Sequence, residues 1–406
     1  MKRAIFLNRF FFPDHSATSQ ILTDLAFHLA ASGIETHIVT SKQLYDNPDA
    51  RLPTEETVRD VHIHRVSTTQ FGRSALLGRS IDYISYYFST WRRLRSLAKR
   101  GDIVVAMTDP PLISIIAMLA VRAREAQLVN WLQDIYPEVA IQLNVPLANS
   151  PVGRIISIVR NRSLKAAKAN VVVGQQMMTQ ILSRGAAADR VYVIHNWADD
   201  EAIRPVSHID NPFRHKWQLE DKFVVGYSGN LGRAHEFNTL LAASQRLKDH
   251  PCIVFACVGG GYGFDELRRK VAQHGLDRIF KFFPYQDRSM LKYSLGAADV
   301  HWISLKPQLE GLIVPSKFYG VAAAGRPVIT ISAENGEIAQ LIHQHRCGIV
   351  VKPGDAETLA QTIVSLAGDR KCVADMGRRA RDMLELHFSR RHALESWRTL
   401  LEELSA

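Results

Sequence analysis

Residues 223–233 read FVVGYSGNLGR: an apolar run that passes straight into glycines around Asn230 and Leu231. Such a run reads as a buried parallel strand, Phe223–Tyr227, entering a βα turn. Glycine there lets a backbone approach a ligand closely, and the N-terminus of the next helix favours an anion. Tight βα turns also want glycine for their own geometry, so the segment alone leaves both readings open. The same grammar repeats downstream. Strand Cys252–Val258 ends in Gly259-Gly260-Gly261-Tyr262-Gly263, and helices are expected over Glu236–Leu247 and Asp265–His274. Strands follow at Ile279–Phe283, Val300–Ser304, Pro327–Ile331 and Gly348–Val351, with helices at Lys317–Ala324 and Glu337–His345. Two further helical stretches, from about Ala356 and about Arg391, finish the chain.

Upstream the alternation is similar, with strands expected at Ala4–Leu7, Thr36–Thr40, Val61–Val66, Ile103–Met107, Gln127–Trp131, Val171–Gly174 and Val191–Ile194. Helix Thr18–Ser32 stops at Gly33, as a C-terminal glycine dictates. The pattern breaks between Asn196 and Phe213, where Pro205, Pro212 and polar residues mark a linker. Strands alternating with helices predict α/β architecture: two Rossmann-like, doubly wound domains facing across a cleft. The expected divisions are residues 1–205, residues 206–385, and a C-terminal helix, 386–406, that packs back on the first domain.

A third feature joins the two glycine turns. Glu310-Gly311-Leu312-Ile313-Val314-Pro315-Ser316-Lys317 leads into a helix: Pro315 suits its first turn, Ser316 can cap it, and Lys317 brings a cation to free backbone N–H groups. A diphosphate is the natural guest of that arrangement.

Composition bounds the rest. At 406 residues, 46% hydrophobic and 22% charged, the chain is ordinary globular material for two domains. Four cysteines are too few for a disulfide framework, and Cys252 and Cys257 flank an apolar run that reads as core. The apolar stretch after Met1-Lys2-Arg3 is too short for a signal peptide. Pro110–Val121, about a dozen residues, falls short of the roughly 20 needed to cross a bilayer. A cytoplasmic setting is expected. The net charge of +10 has a focus between Arg73 and Arg100, where seven basic residues lie among Ile81, Tyr83, Ile84, Tyr86, Tyr87, Phe88 and Trp91. That mixture suits contact with an anionic membrane surface, or else aromatic core beside solvated arginines. No nucleic-acid-reading motif accompanies the charge. His62 and His64 share one face of a strand but have no third ligand in view, so no metal site is expected.

Taken in order, Gly-Asn-Leu-Gly at 229–232, the glycines at 259–261, Phe282-Phe283-Pro284-Tyr285-Gln286, Ala298-Asp299-Val300 and Pro315-Ser316-Lys317 followed by Ala324-Gly325-Arg326-Pro327-Val328 resemble family 4 of the retaining GT-B glycosyltransferases. Phe12-Pro13-Asp14 with Ala17-Thr18, residues Trp131 to Glu138, and Asn196-Trp197-Ala198-Asp199 are similar to the branch that builds bacterial surface polysaccharides, including colanic-acid and amino-sugar transferases. The resemblance spans nearly the whole chain. It implies that a hexosyl or N-acetylhexosaminyl group passes from a nucleotide-diphosphate donor, a UDP-sugar, to a polyprenyl-linked or saccharide acceptor at the inner face of the plasma membrane. The configuration is retained by front-face substitution, the leaving phosphate taking the acceptor proton. No metal or other cofactor is implied. No Asp-x-Asp triplet is present, so cations and dipoles are expected to stabilise the departing diphosphate.

The resemblance assigns Gly229, Asn230, Gly232 and Gly260 to the diphosphate wall, with Arg233 a charge partner. It assigns Pro284 and Tyr285 to the nucleobase, Glu310 and Gly311 to the donor sugar, and Ser316 and Lys317 to the phosphates. Asp14, His15 and Ser16 lie in the acceptor-side loop. Relatives carry Glu where this chain has Gly320, a Lys near Glu236, and often a His near Gln133. Lys317, with Arg233, is expected to supply the missing charge, and Asp134 or Glu138 to contact the acceptor. Asp134, Glu310 and Lys317 are thus the catalytic candidates. Two rivals remain: a UDP-sugar epimerase on the same fold, and a non-catalytic nucleotide- or nucleic-acid-binding protein.

Overall fold

The computed structural model describes residues 3–405 except 46, 48, 51, 72–75 and 147, and leaves out the side chains of 76, 77 and 79. Met1, Lys2 and Arg73, and the side chains of Leu76, Leu77 and Arg79, therefore lie outside the described residues. Contacts divide the chain into two units. The first comprises residues up to His195 together with those from Ala393 on, and the second runs from Asn196 to His392. The divisions read from the sequence, at 205/206 and 385/386, sit several residues away from these.

The first unit holds β1 (Ala4–Leu7), β2 (Thr36–Ser41), β3 (Glu55–Val58), β4 (Val61–Val66), β5 (Ile103–Ala106), β6 (Gln127–Leu132), β7 (Ala169–Val172) and β8 (Val191–Val193). They form one sheet in the order β3-β4-β2-β1-β5-β6-β7-β8, parallel except that β3 runs antiparallel to β4. β1 and β5 are buried at every position, as strands covered on both faces must be. The sequence reading missed β3, whose Glu55-Glu56-Thr57 start looks like a loop; charge on an edge strand is what keeps it from pairing further. Its helices are α1 (Ala17–Ala31), α2 (Leu76–Leu97), α3 (Ile113–Arg122), α4 (Glu138–Gln142), α5 (Pro151–Ala166) and α6 (Gln175–Leu182).

The second unit holds α7 (Pro212–Lys216), β9 (Phe223–Asn230), α8 (Asn238–Arg246), β10 (Ile253–Gly260), α9 (Tyr262–Gln273), β11 (Phe280–Phe283), α10 (Leu291–Gly296), β12 (Val300–Ser304), α11 (Lys317–Ala323), β13 (Val328–Ile331), α12 (Glu337–His345), β14 (Gly348–Val351), α13 (Ala356–Gly368) and α14 (Arg370–His387). Its sheet is parallel throughout, in the order β11-β10-β9-β12-β13-β14. The order reverses at β9, which places a ligand-binding crevice at the carboxyl ends of β9 and β12. Phe223, Val225, Tyr227, Phe255, Cys257 and Trp302 are among the residues filling one face of the sheet. Cys257 and Cys347 are buried thiols, whereas Cys252, expected in the core, is exposed. Asp299 is also structural: buried, it accepts the Val224 N–H at 2.7 Å and pairs with Arg214 at 3.2 Å.

The last helix, α15 (Arg390–Ser405), carries the chain back into the first unit. Ala393, Leu394, Trp397, Leu400 and Leu401 form its buried stripe. Trp397 packs 4.5 Å from Trp131 between ring centroids, and Glu395 pairs with His28 of α1 at 3.2 Å.

Candidate active site

The glycines of 229–232 begin inside the sheet. β9 and β10 run two to three residues further than expected, and Gly229 pairs with Gly259, and Asn230 with Gly260, as the last rungs of the ladder. A side chain cannot fit there. Gly259 has φ +132°, and a Cβ on it would lie 2.2 Å from the carbonyl oxygen of Gly229. The Leu231 N–H reaches Gly260 O at 2.8 Å, and Gly263 N–H reaches Leu231 O at 2.8 Å, lacing the two turns together. Tyr227 donates its hydroxyl to Asn230 O at 2.8 Å. The result is a fixed floor of bare backbone at the switch point.

Lys317 lies across this floor. A Cβ on Gly229 would be 2.9 Å from Lys317 Cε, and the Lys317 ammonium stands 5.5 Å from the Tyr227 ring centroid. The structure thus joins the two segments that sequence could only pair by inference. Burial pushes the Lys317 ammonium down to about 8. Its hydrogen-bond partner is His235 Nε2, at 3.1 Å. His235 Nδ1 sits 2.7 Å from the Ser304 carbonyl, which can only accept; the proton is therefore on Nδ1, and Nε2 accepts from Lys317. Burial and the Lys317 charge push His235 down to about 3, so it is neutral. Sequence reasoning passed over His235, although a histidine three residues past a phosphate-type glycine turn was the available signal.

The other second-unit candidates divide. Tyr285 is exposed and its ring rests above Gly260, where a Cβ would be 3.2 Å from Tyr285 Cε2. Pro284 precedes it and accepts from Gln286 through its carbonyl at 2.8 Å. Gly311 has φ +72° and Gly232 lies beside Asn230. Arg233 is exposed and stacks on Tyr262, 4.8 Å from the ring centroid, at the start of α9. Ser316 makes no side-chain cap at α11, contrary to expectation, because it already has helical φ and ψ. Glu236 turns to the N-terminus of α8, accepting the Thr239 N–H at 3.0 Å. Glu310 sits at the start of α12, where its carboxylate accepts the N–H groups of Glu337 and Ala333; burial pushes it up to about 7. Gly336 makes room for it, since a Cβ there would lie 2.5 Å from Glu310 Oε1. At Gly320 a Cβ would make ordinary contact with Leu295 Cδ1 at 3.7 Å.

In the first unit the acidic candidates are braced. Asp14 is buried and accepts the Ser16 N–H at 2.8 Å and the Tyr45 N–H. His15 is exposed, and the Ser16 hydroxyl is without a partner in the described structure. Glu138, first residue of α4, is clamped by Arg160 and by Arg184 at 2.8 Å. Burial pushes its carboxyl up, but the two guanidinium groups outweigh that and hold it below the ordinary carboxylate range. Asp134 follows β6 and lines a cavity of about 20 Å³ with Thr108, Tyr136 and Arg160, room for about one water. Burial, and then the Asp109 charge, push its carboxyl up to about 7. Asp109 was not singled out by sequence.

The basic and aromatic segment is part core and part surface. Tyr86 and Leu94 of α2 are core, while Ile81, Ile84 and Phe88 are exposed. Arg93 pairs with Glu55, and Arg100 with Glu125 at 3.0 Å. α3 packs between α2 and α5 and adds exposed Leu119; α5 adds exposed Val152, Ile155 and Ile158. The only acid on these three helices is Asp82 of α2, which is buried. Exposed Arg92, Arg95, Arg122, Arg154, Arg162 and Lys165 have no carboxylate partner among the described residues. Among those residues no helix is long and apolar enough to cross a membrane. His62 and His64 gain a third histidine, His37 of β2, stacked 4.8 and 5.3 Å from them; no metal-holding group of side chains occurs among the described residues.

Comparison with known proteins adds the family. The family model for glycosyl transferases group 1 matches residues 210–383, and that for a glycosyl transferase 4-like domain matches 17–197. A probable glycosyltransferase, WbjE of Pseudomonas aeruginosa, is 27% identical over 335 residues, 82% of each chain. A putative colanic acid biosynthesis glycosyl transferase, WcaI of Escherichia coli K12, is 28% identical over 245 residues, 59% of each. Among solved structures, sucrose-phosphate synthase of Thermosynechococcus elongatus superposes with a TM-score of 0.81 at 17% identity, covering 100% of this chain and 99% of that one. HepE of Anabaena, in complex with UDP-glucose, gives 0.74 at 16% identity, covering 99% and 100%. At these identities the structures speak to the fold.

Proposed function

This chain belongs to family 4 of the GT-B glycosyltransferases, and on that premise we propose that it is a retaining transferase that moves a sugar from UDP to a lipid-linked saccharide in bacterial surface-polysaccharide biosynthesis. The observation that carries the donor half is the Lys317 ammonium lying over Gly229 with an imidazole, not a carboxylate, as its partner. A cation that meets no carboxylate among the described residues, lying over a floor of bare backbone, stabilises charge that develops on a departing diphosphate. Tyr285, exposed above Gly260, offers a ring face to the base. UDP-glucose in the HepE structure supports the donor class, and the name of WcaI, a putative colanic acid biosynthesis glycosyl transferase, supports the pathway. The chemistry is front-face substitution. The bond from the anomeric carbon to the diphosphate oxygen breaks as the acceptor hydroxyl bonds to the same face, and the leaving phosphate takes the hydroxyl proton. Lys317 holds the diphosphate, and metal is not required.

The test is a panel of nucleotide sugars in a thermal-shift assay, followed by incubation of the responding donor with and without a polyprenyl-diphosphate saccharide. Stabilisation by a UDP-sugar and acceptor-dependent release of UDP are expected. No response to any donor ends the reading, and acceptor-free conversion of the UDP-sugar into its epimer replaces it with the epimerase.

The acceptor half rests on the outward face of α2, α3 and α5. Seven exposed apolar side chains and six exposed, unpaired cations share three adjoining helices with no exposed acid. A second copy of this face would bring like charges together, and a nucleic acid would leave Ile84, Phe88 and Ile155 in water. An anionic bilayer satisfies both components, which supports a cytoplasmic-leaflet site of action on a lipid-linked acceptor. Flotation with vesicles containing anionic lipid should capture the protein, and Ile155→Glu with Ile158→Glu should release it. Equal, negligible recovery with anionic and neutral vesicles rejects this contact.

A further inference from the structure

The partner of Lys317, His235, has been given no role by the family resemblance or by the transferase reading. A half-buried ammonium usually takes a carboxylate, and Glu236 stands one residue from His235. The loop is built to keep that carboxylate away. Glu236 donates its N–H to Ser304 Oγ at 3.1 Å, and its Oε1 accepts the Thr239 N–H at 3.0 Å. The Ala234 carbonyl accepts the Lys306 N–H at 3.0 Å, and His235 Nδ1 donates to Ser304 O at 2.7 Å. Three consecutive residues are therefore tied to the end of β12 and its exit, and the one side chain this leaves facing Lys317 is a neutral imidazole with its lone pair on Nε2.

We propose that His235 is a positioning residue for Lys317: a neutral acceptor that aims the ammonium over Gly229 while leaving its whole charge for the donor diphosphate. The proposal rests on the phosphate reading of Lys317. A carboxylate at the same place would orient the cation equally well but cancel it, so that the diphosphate would have to displace an anion. An apolar residue would leave the ammonium a buried donor with nothing to bond, favouring the deprotonated amine. The imidazole avoids both costs, and the Ser304 carbonyl holds it in the accepting tautomer. The groups around the ammonium are consistent: the Tyr227 ring faces it from β9, and Lys306 contributes positive potential at His235. No carboxylate of the described residues pulls Lys317 upward, and burial sets it near 8.

The predicted signature is a pH profile. Lys317 binds diphosphate when protonated, so UDP affinity should fall as pH rises through about 8. The UDP terminal phosphate has shed its own proton by about pH 7. Accepting a hydrogen bond stabilises the ammonium, so removing the acceptor lowers the lysine's pKa and moves the fall to lower pH. Isothermal titration of UDP between about pH 7 and 9.5 on the full chain tests this with three variants. His235→Ala should shift the midpoint down and weaken UDP about 3- to 10-fold near pH 8, the size of one net hydrogen bond. His235→Gln, whose amide oxygen can accept, should recover most of both. Lys317→Ala should bind weakly with a flat profile. A midpoint unmoved in His235→Ala, or an equal loss at every pH in both His235 variants, overturns the proposal, the latter pointing to a loop that has merely lost packing. Wild-type affinity in Lys317→Ala would instead remove the phosphate reading on which the proposal stands.

Discussion

Beyond β9 in the second unit, the Lys317 ammonium leans on an imidazole and on backbone; beyond β6 in the first, the Glu138 carboxylate is held between two guanidinium groups. Both are charged side chains at the carboxyl ends of strands in parallel sheets. One is uncompensated and the other doubly compensated. The difference separates a charge kept for a guest from a charge consumed by the fold. It also ranks the candidates: Asp14 and Glu310 meet N–H groups and Glu138 Oε1 meets two arginines, whereas Lys317 meets no carboxylate among the described residues.

The comparison can be broken in stages. Arg160→Ala should have the largest effect, since it removes a buried partner and leaves Glu138 with Arg184 alone; a loss of about 3 kcal/mol in denaturant unfolding is expected. A loss under about 0.5 kcal/mol would mean that Glu138 is not held as described. Lys317→Met should leave unfolding nearly unchanged and weaken UDP by about 2 kcal/mol, a charged hydrogen bond's worth. Were its effect on unfolding larger than its effect on UDP, the contrast between the two charges would collapse. Asp14→Ala frees two N–H groups and should cost about 1 kcal/mol of stability, with UDP affinity unaffected.

The last effect is one of pH, and it is absent at neutrality. Burial, and then Arg93, push His64 down to about 4, below its ordinary value. The unfolded chain then takes up a proton first, so stability is full above about pH 6.5 and falls as pH drops from there toward 4. His64→Gln should flatten that limb in an acid titration followed by circular dichroism. An identical limb in the variant would assign the acid sensitivity elsewhere.

Most of the architecture was legible because strands buried on both faces write themselves as apolar runs, and helices between them as amphipathic stretches. What escaped were elements whose residues face water. β3 begins with two glutamates, and the bounds of α5 stayed open because its buried stripe, Gly153, Arg160, Ser163 and Leu164, is narrow and lies beneath exposed isoleucines. At the site, the pairing of Gly229 with Lys317 was readable from the chemistry each segment advertises. His235 was not, because its role depends on which ring nitrogen the Ser304 carbonyl claims, a contact across 69 residues. Ser316 was misread for a related reason: a cap requires extended backbone, and only the structure shows it already helical. Nor could composition say that Asp109 raises Asp134, since nothing local brings those carboxylates near each other.

α15 has a consequence for how the chain is made. Trp131 emerges from the ribosome early, but the Trp397 ring that covers it arrives some 260 residues later, after the entire second unit. Domains usually fold as they are synthesised, the first one first. Here the first unit must wait half-covered while the second completes itself, which makes the nascent Trp131 surface a natural client for a chaperone.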